Sequence, residues 1–246
     1  MTPDSPSQTA IGSWFRRRRQ LLALLRDDDY RRDALSLLLT NLRGIAGWRL
    51  VGGVILLGAV AGYLLARYGE SARLGYEVLQ SVLGVATLGL GAMLYADERE
   101  NGTFELLWLA TGSERAILRL RMTTLMVLVA LLALPAIPLA SLVLPEPIPF
   151  APAAIHLLTN SFFLLSAMAL IGAWIPQSWA AGLVGLALFS AVQATMIGSA
   201  TMLNPLLNPI DLRPDQAGIA ISNRIILVVL GMILLRAAAA RLRRTL

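Results

Sequence analysis

Residues 97–112 form a charged segment, DERENGTFELLWLATG, between two long apolar stretches of the chain. Charged side chains are too costly to place in lipid hydrocarbon, so this segment must lie in water at one membrane face. Phe104 and Trp108 are spaced i, i+4, which places both side chains on one face of a helix. The chemistry predicted here is recognition of another protein by an apolar face beside carboxylates. The alternative is that the two aromatic side chains rest on lipid headgroups.

The residues that catalysis usually requires are scarce in this chain. It has no cysteine, no lysine and a single histidine, His156. The sequence contains no H-E-x-x-H zinc motif, no G-x-S-x-G nucleophile motif and no G-x-x-x-x-G-K-[ST] phosphate loop. A lone histidine without other ligands is a poor metal site. We therefore predict that the chain is not an enzyme and has no metal or cofactor of its own. The alternatives of another class are an enzymatic or a structural membrane subunit.

A few polar residues fall inside the apolar stretches, where charged groups usually have a function. Glu77 and Arg224 are placed at comparable depths from the same membrane face, which predicts an ion pair between two helices. The alternative is that Arg224 extends alone to the headgroups. Asn160, Gln193 and Thr195 are candidates either to line a translocation path or to form hydrogen bonds between helices, and the second is favoured.

The elements that must position these residues are membrane helices. Hydrophobic residues make up 57% of the 246 residues and charged residues 15%, whereas soluble domains have about 25% charged residues. A helix needs about 20 apolar residues to cross a bilayer. The sequence predicts an all-α, polytopic membrane protein with six transmembrane helices at about 45–66, 74–95, 122–144, 153–175, 179–203 and 219–235.

Two segments precede the predicted spans. Residues 1–12 are rich in Ser, Thr and Pro, a composition typical of disorder. Residues 13–42 combine four consecutive arginines with leucines at helical spacing, which favours an amphipathic helix in the cytoplasmic membrane interface. An ordinary soluble helix is the alternative. The six-helix transmembrane domain is then predicted to occupy residues 43–246.

The arginines predict the orientation of the chain. All 21 basic residues are arginines; 17 lie in segments on one side of the predicted spans and three in the opposite loops. Because basic residues concentrate on the cytoplasmic side, both termini and residues 97–112 are predicted to be cytoplasmic. Arginines placed beside spans indicate contact with membrane lipid and not with nucleic acid. Residues 204–218 contain several prolines and are expected to form either a re-entrant hairpin or a surface loop.

Residues 96–125, ADERENGTFELLWLATGSERAILRLRMTTL, resemble a stretch of the type-2 ATP-binding-cassette (ABC) export permeases. That family has an acidic residue followed by Glu-Arg-Glu-x-Gly-Thr, a hydrophobic residue, Glu-Leu-Leu and then Ala-Thr-Pro. The six-span layout with a preceding interfacial helix is also similar, as are Asn208-Pro209 and Asn223-Arg224 around the start of the last span. Gly112 departs from the pattern, since the family usually has proline there.

The resemblance implies that residues 97–112 include a coupling helix, between spans two and three, that contacts an ATPase subunit. The residues implied to make this contact are Glu98, Glu100, Phe104, Glu105, Trp108, Thr111 and Gly112. Movement of this segment, driven by ATP, would pass through the helix that follows it to the third span.

The resemblance also implies partners and a place in the cell. The partners are an ABC ATP-binding subunit, which would bind ATP and Mg²⁺, and a second permease chain in a homodimer or heterodimer. The expected location is the bacterial cytoplasmic (inner) membrane. The expected role is export of a lipid-like, saccharide-lipid or other hydrophobic substrate. A haem-export-type permease of cytochrome c maturation, similar in size and number of spans, is the closer alternative.

Overall fold

A computed structural model describes residues 48–94, 114–196, 204, 207–210 and 217–244. Within these ranges the regular elements are helices and no strand is present. In chain order the six helices are α1 (Trp48–Tyr68), α2 (Ala72–Ala92), α3 (Glu114–Val143), α4 (Phe150–Trp174), α5 (Ser178–Met196) and α6 (Ala217–Leu242).

Four of these helices are long and apolar enough to cross a membrane: α2, α3, α4 and α6. The apolar parts of α1 and α5, Gly52–Tyr68 and Ser178–Ala194, are shorter. Within the described residues the prediction of an all-helical protein is confirmed, and the four candidate spans are consistent with a polytopic membrane protein, whereas six spans were predicted. Residues 1–12 and the interfacial segment 13–42 lie outside the described residues.

The helix bounds differ from the predicted spans mainly at charged ends. α3 begins at Glu114 and not at 122, and α6 continues to Leu242, beyond 235. A search for apolar runs stops where arginines begin, yet a helix continues through arginines because their backbone hydrogen bonds do not depend on lipid. α3 also continues through Pro135 and Pro138, although each ring removes one backbone donor.

Helices α2, α4 and α6 run in the same direction, with α4 between the other two. Along α2 and α4, Thr87 Oγ1 lies 3.3 Å from Ser161 Oγ, and Gly91 packs on Met168 further along. Near the start of α4 and α6, Arg224 bonds to Asn160. At their far ends, the Arg241 guanidinium lies 4.1 Å from the ring centroid of Trp174.

Helix α5 runs antiparallel to α2 and packs on it through small residues. Gly84 faces the Phe189 ring, Gly182 faces the Ala92 methyl group, and Gly185 contacts Leu88 and Met168. The contacts recur once per helical turn, so they form one continuous seam. Small residues let two membrane helices approach closely, because packing, and not the hydrophobic effect, holds helices together in lipid.

The turn between α3 and α4 is closed by a serine. Ser141 Oγ donates to Ile137 O at 3.0 Å and accepts from Ile148 N at 3.1 Å. Leu144 in this turn contacts Gly69 and Gly75, which flank the start of α2. Turns α1–α2 and α3–α4 therefore lie together at one end of the bundle.

Replacing Gly91 with alanine is expected to lower the free energy of unfolding by about 1–3 kcal/mol, as overpacking does in protein cores. The new Cβ would lie 2.6 Å from Met168 Cβ, an atom fixed to the backbone of α4, so the two helices would have to separate. Gly58→Ala in α1 is the matched control, since nothing lies within 4 Å of its Cβ position. It should stabilise the protein by up to about 1 kcal/mol through helix propensity. Thermal or denaturant unfolding in detergent measures both, and equal stability of the two variants would contradict this packing.

Candidate functional site

A cavity of about 630 Å³, open on one side of the bundle, lies between α1, α2 and α3, and lining side chains such as Leu56, Leu131 and Leu139 are exposed. Its volume is in the range of about 300–1,000 Å³ that small-molecule sites occupy. Every side chain that lines it is apolar, and it has neither a charge nor a hydroxyl or amide group. Such a cavity suits an apolar ligand such as an acyl chain, because it could not pair a polar group.

Small residues create the space for this cavity. Gly53 and Gly58 of α1 and Gly89 of α2 line it, and a Cβ at any of them would meet no atom within 4 Å. Pro135 and Ala136 complete the wall on α3. The cavity therefore lies between α1 and the two helices that flank the charged segment 97–112 in the sequence.

A second site is a buried polar cluster, here called the Arg224 cluster, formed by Tyr76, His156, Asn160 and Arg224. Arg224 is only 7% exposed. Its Nη1 donates to Asn160 Oδ1 at 2.9 Å and, more weakly, to His156 O at 3.5 Å. Its Nη2 donates to Leu207 O at 3.0 Å. The arginine thus joins α6 to α4 and to the non-helical segment before α6.

That segment, of which the structure describes Asn204 and residues 207–210, is held by polar contacts inside the bundle. Asn223 Nδ2 donates to Asn204 O at 2.9 Å. Asn208 Oδ1 accepts from Ile210 N at 3.0 Å, and Asn208 Nδ2 lies 3.5 Å from Arg73 O on α2.

The same segment is buried, and its contacts with α6 show how far it lies from the start of that helix. Asn204, Leu207 and Asn208 are all buried. Asn204 and Leu207 contact Asn223 and Arg224, which lie six and seven residues after the start of α6. These contacts are therefore about 10 Å from the start of α6 along the helix axis. Irregular backbone at such depth needs protein partners for its carbonyls, and these contacts favour a re-entrant conformation over a surface loop.

The predicted pair between Glu77 and Arg224 is not formed. Glu77 Oε1 pairs instead with Arg73 Nε at 3.3 Å, one turn earlier on α2. An i, i+4 partner on the same helix is always within reach, whereas Arg224 is occupied by neutral oxygens of α4 and of the segment before α6. Both Glu77 and Arg73 are partly exposed, so this pair adds little to stability.

The three path-lining candidates have different positions. Asn160 accepts the bond from Arg224, and Gln193 Nε2 of α5 donates to Ser81 Oγ of α2 at 2.9 Å. Both therefore make hydrogen bonds between helices, the alternative that the sequence favoured, and neither lines the apolar cavity. The side chain of Thr195 lies outside the described residues.

The predicted ATPase contacts Glu98, Glu100, Phe104, Glu105, Trp108, Thr111 and Gly112 all lie outside the described residues. The structure describes what flanks them. α2 ends at Ala92, with Leu94 buried, and α3 begins at Glu114, with Ile117 and Leu118 buried. Both ends of the intervening segment are therefore anchored in the helix bundle.

Sequence reasoning missed two members of the buried polar network. Tyr76 is fully buried, and Asn204 supplies the carbonyl that Asn223 binds. A signal for Tyr76 was present, since it shares a face of α2 with Leu79 and Leu83 and so points where the apolar core lies. No sequence signal identified Asn204, because its contribution is a backbone carbonyl.

The described ranges contain no group of three or more His, Asp or Glu side chains close enough to hold a metal ion. Comparisons with protein-family models, with curated proteins and with solved structures found no match.

Proposed function

We propose that this chain is the membrane-spanning permease subunit of an ABC transporter that exports a lipid-like, saccharide-lipid or other hydrophobic substrate. ATP hydrolysis would take place in a separate ATP-binding subunit, with ATP and Mg²⁺ bound there. The observation on which this proposal rests is the charged segment 97–112, whose sequence resembles the coupling region of that family.

The position of the apolar cavity supports this proposal. The segment joins α2 to α3, and these two helices also form two of the three cavity walls. A force applied to the segment would therefore act on both walls. Because α4 packs on α2, α3, α5 and α6, it provides the fixed part against which the walls would move. A movement of the motor subunit would therefore reach the ligand directly, through α2 and α3.

The character of the cavity supports the class of substrate. A lining without polar side chains cannot recognise a sugar or a peptide by hydrogen bonds, but it can accept a hydrocarbon chain. In this proposal the apolar tail of the substrate occupies the cavity, and any polar head lies outside it. The proposal takes all six helices to span the membrane. α1 and α5 have 21 and 19 residues, and their shorter apolar parts, Gly52–Tyr68 and Ser178–Ala194, are at the lower end of the range of about 17–25 residues for a span.

The proposed assembly has two permease chains. Among the described helices, α1 packs mainly on α2 and α3, and much of its surface is apolar and exposed, including Ile55, Leu56 and Tyr63. A second permease chain, identical or related, would extend the six helices to twelve. Both termini would be in the cytoplasm of a bacterium whose inner membrane contains the complex.

The orientation of residues 97–112 tests this proposal and can be measured by cysteine labelling, because the chain has no cysteine of its own. Asn101→Cys should react with a membrane-impermeant maleimide only from the cytoplasmic side, in inverted vesicles. Glu146→Cys, in the exposed turn between α3 and α4, should react only in right-side-out cells. Labelling of Asn101→Cys from outside would refute the coupling role.

A further inference from the structure

The Arg224 cluster has more hydrogen-bond donors than acceptors. A guanidinium has five N–H donors, and Arg224 Nε has no partner among the described residues. The same holds for Tyr76 Oη, Asn160 Nδ2 and His156 Nδ1. All four side chains are less than one tenth exposed. Buried polar groups in proteins are nearly always paired, so four unpaired groups from three helices require an explanation.

These groups lie close together. Asn160 Oδ1 is 2.9 Å from Arg224 Nη1. Asn160 Nδ2 is bonded to the same carbon as Oδ1, so it also lies near the guanidinium. His156 is one turn before Asn160 on α4, and its carbonyl also faces Arg224 Nη1. Tyr76 of α2 belongs to the same buried core as Ala153, Ala154 and Leu157, the α4 residues that surround His156 in the sequence. The four side chains therefore form one site between α2, α4 and α6.

Among the described residues, no acidic side chain balances the positive charge of the cluster. In the part of the chain that the structure describes, Arg224 donates to an amide oxygen and two backbone carbonyls, all neutral. Among the described residues, the acid nearest to Tyr76 in the sequence is Glu77, and it pairs with Arg73. A buried cation without a counter-charge is costly in a membrane helix bundle. One ligand that is an acceptor and carries a negative charge would satisfy both deficits.

We propose that the Arg224 cluster binds a single monovalent anion of the halide class, such as chloride. The anion accepts hydrogen bonds from Arg224 Nε, Tyr76 Oη and Asn160 Nδ2, and from His156 Nδ1 when that nitrogen bears the proton. One negative charge neutralises one guanidinium, whereas a divalent anion would leave an excess charge in the bundle. A monatomic ion accepts hydrogen bonds from any direction, which suits donors that come from three different helices.

Binding of the anion would stabilise the junction between α6 and the segment before it. Arg224 Nη2 donates to Leu207 O, and Nε would donate to the anion. Because both nitrogens belong to one planar guanidinium, binding of the anion would restrict the orientation in which Nη2 contacts Leu207. The inference does not depend on the proposed transport function, because it concerns the chain alone.

Thermal unfolding of the purified chain in lipid nanodiscs tests this proposal, with sodium gluconate replaced by sodium chloride or bromide at constant ionic strength. The melting temperature of the unsubstituted protein should rise with halide concentration and then saturate, as mass action requires for a ligand of the folded state. Sodium sulfate at the same ionic strength should give no saturable rise. Absence of a saturable halide effect would overturn the proposal and would indicate water as the partner of these donors.

Two variants and one control locate the effect. Tyr76→Phe removes only the hydroxyl and should raise the half-saturating halide concentration roughly ten-fold or more, the effect of one lost hydrogen bond to a charged group. Arg224→Gln should abolish the halide response. Arg73→Gln removes an exposed arginine from the same end of α2 and should leave the response unchanged. If Arg224→Gln does not fold, Tyr76→Phe decides alone: a half-saturating concentration equal to that of the unsubstituted protein refutes the site.

Discussion

Replacing Phe104 and Trp108 together with aspartate is expected to abolish co-purification of an ATP-binding subunit with this chain. The two side chains share one face of the predicted coupling helix and provide its largest apolar area. Buried aromatic anchors commonly contribute 2 kcal/mol or more each to an interface, so their joint loss should weaken binding by a factor of about 10³. Two aspartates would also place unpaired charges in the interface.

The control for that experiment is the conservative pair Phe104→Leu and Trp108→Phe. It retains an apolar face of reduced size and should retain the ATP-binding subunit with weaker affinity. Both double variants should reach the membrane in equal amounts, because the substitutions lie in the segment that is predicted to be in water. Undiminished co-purification with the aspartate variant would contradict the assignment of this face to a protein partner.

Replacing Arg224 with methionine is expected to lower the free energy of unfolding by about 2 kcal/mol or more. The substitution leaves Asn160 Oδ1 and Leu207 O without their donor, and each buried acceptor without a partner costs about 1–3 kcal/mol. Loss of the desolvated charge offsets part of this cost. Denaturant titration of the purified chain measures the net effect.

A second substitution separates these contributions. Asn160→Leu removes the unpaired oxygen, so the double variant with Arg224→Met should be about 1 kcal/mol more stable than the sum of the single effects implies, which a double-mutant cycle reports. Arg73→Met is the control, since its pair with Glu77 is exposed and should contribute less than about 1 kcal/mol. Equal effects of Arg224→Met and Arg73→Met would contradict the structural role of Arg224.

The helices were largely predictable from the sequence, because lipid imposes a length and an apolar composition on any helix that crosses it. The centres of all six predicted spans lie within helices, and errors are confined to ends such as Glu114 and Leu242. Those ends lie in arginine-containing segments, where hydropathy and helix formation no longer coincide.

The polar contacts were less predictable. Sequence reasoning identified Arg224 as a buried functional candidate but paired it with Glu77, since opposite charge and similar depth were the only criteria available. The actual partners are a side-chain amide and two backbone carbonyls. A carbonyl carries no sequence signature, so contacts of this kind depend on how the chain before α6 folds into the bundle.

The apolar cavity was not foreseen for a related reason. Its lining residues, such as Gly53, Ala61 and Gly89, are those expected of any membrane helix. Whether small residues close a helix contact or leave a space depends on their partners. Gly84 and Gly91 of α2 are in contact with Phe189 and Met168, whereas Gly89 of the same helix faces open space.

The central claim is that residues 97–112 bind a motor subunit in the cytoplasm, and purification of the intact complex tests it most directly. An affinity-tagged copy of this chain should be isolated from its native membrane in mild detergent and assayed for bound proteins and for ATP hydrolysis. We expect an ABC ATP-binding subunit to be present and its hydrolysis rate to fall when Phe104 and Trp108 are replaced with aspartate. A native complex that contains no ATP-hydrolysing subunit would contradict the account.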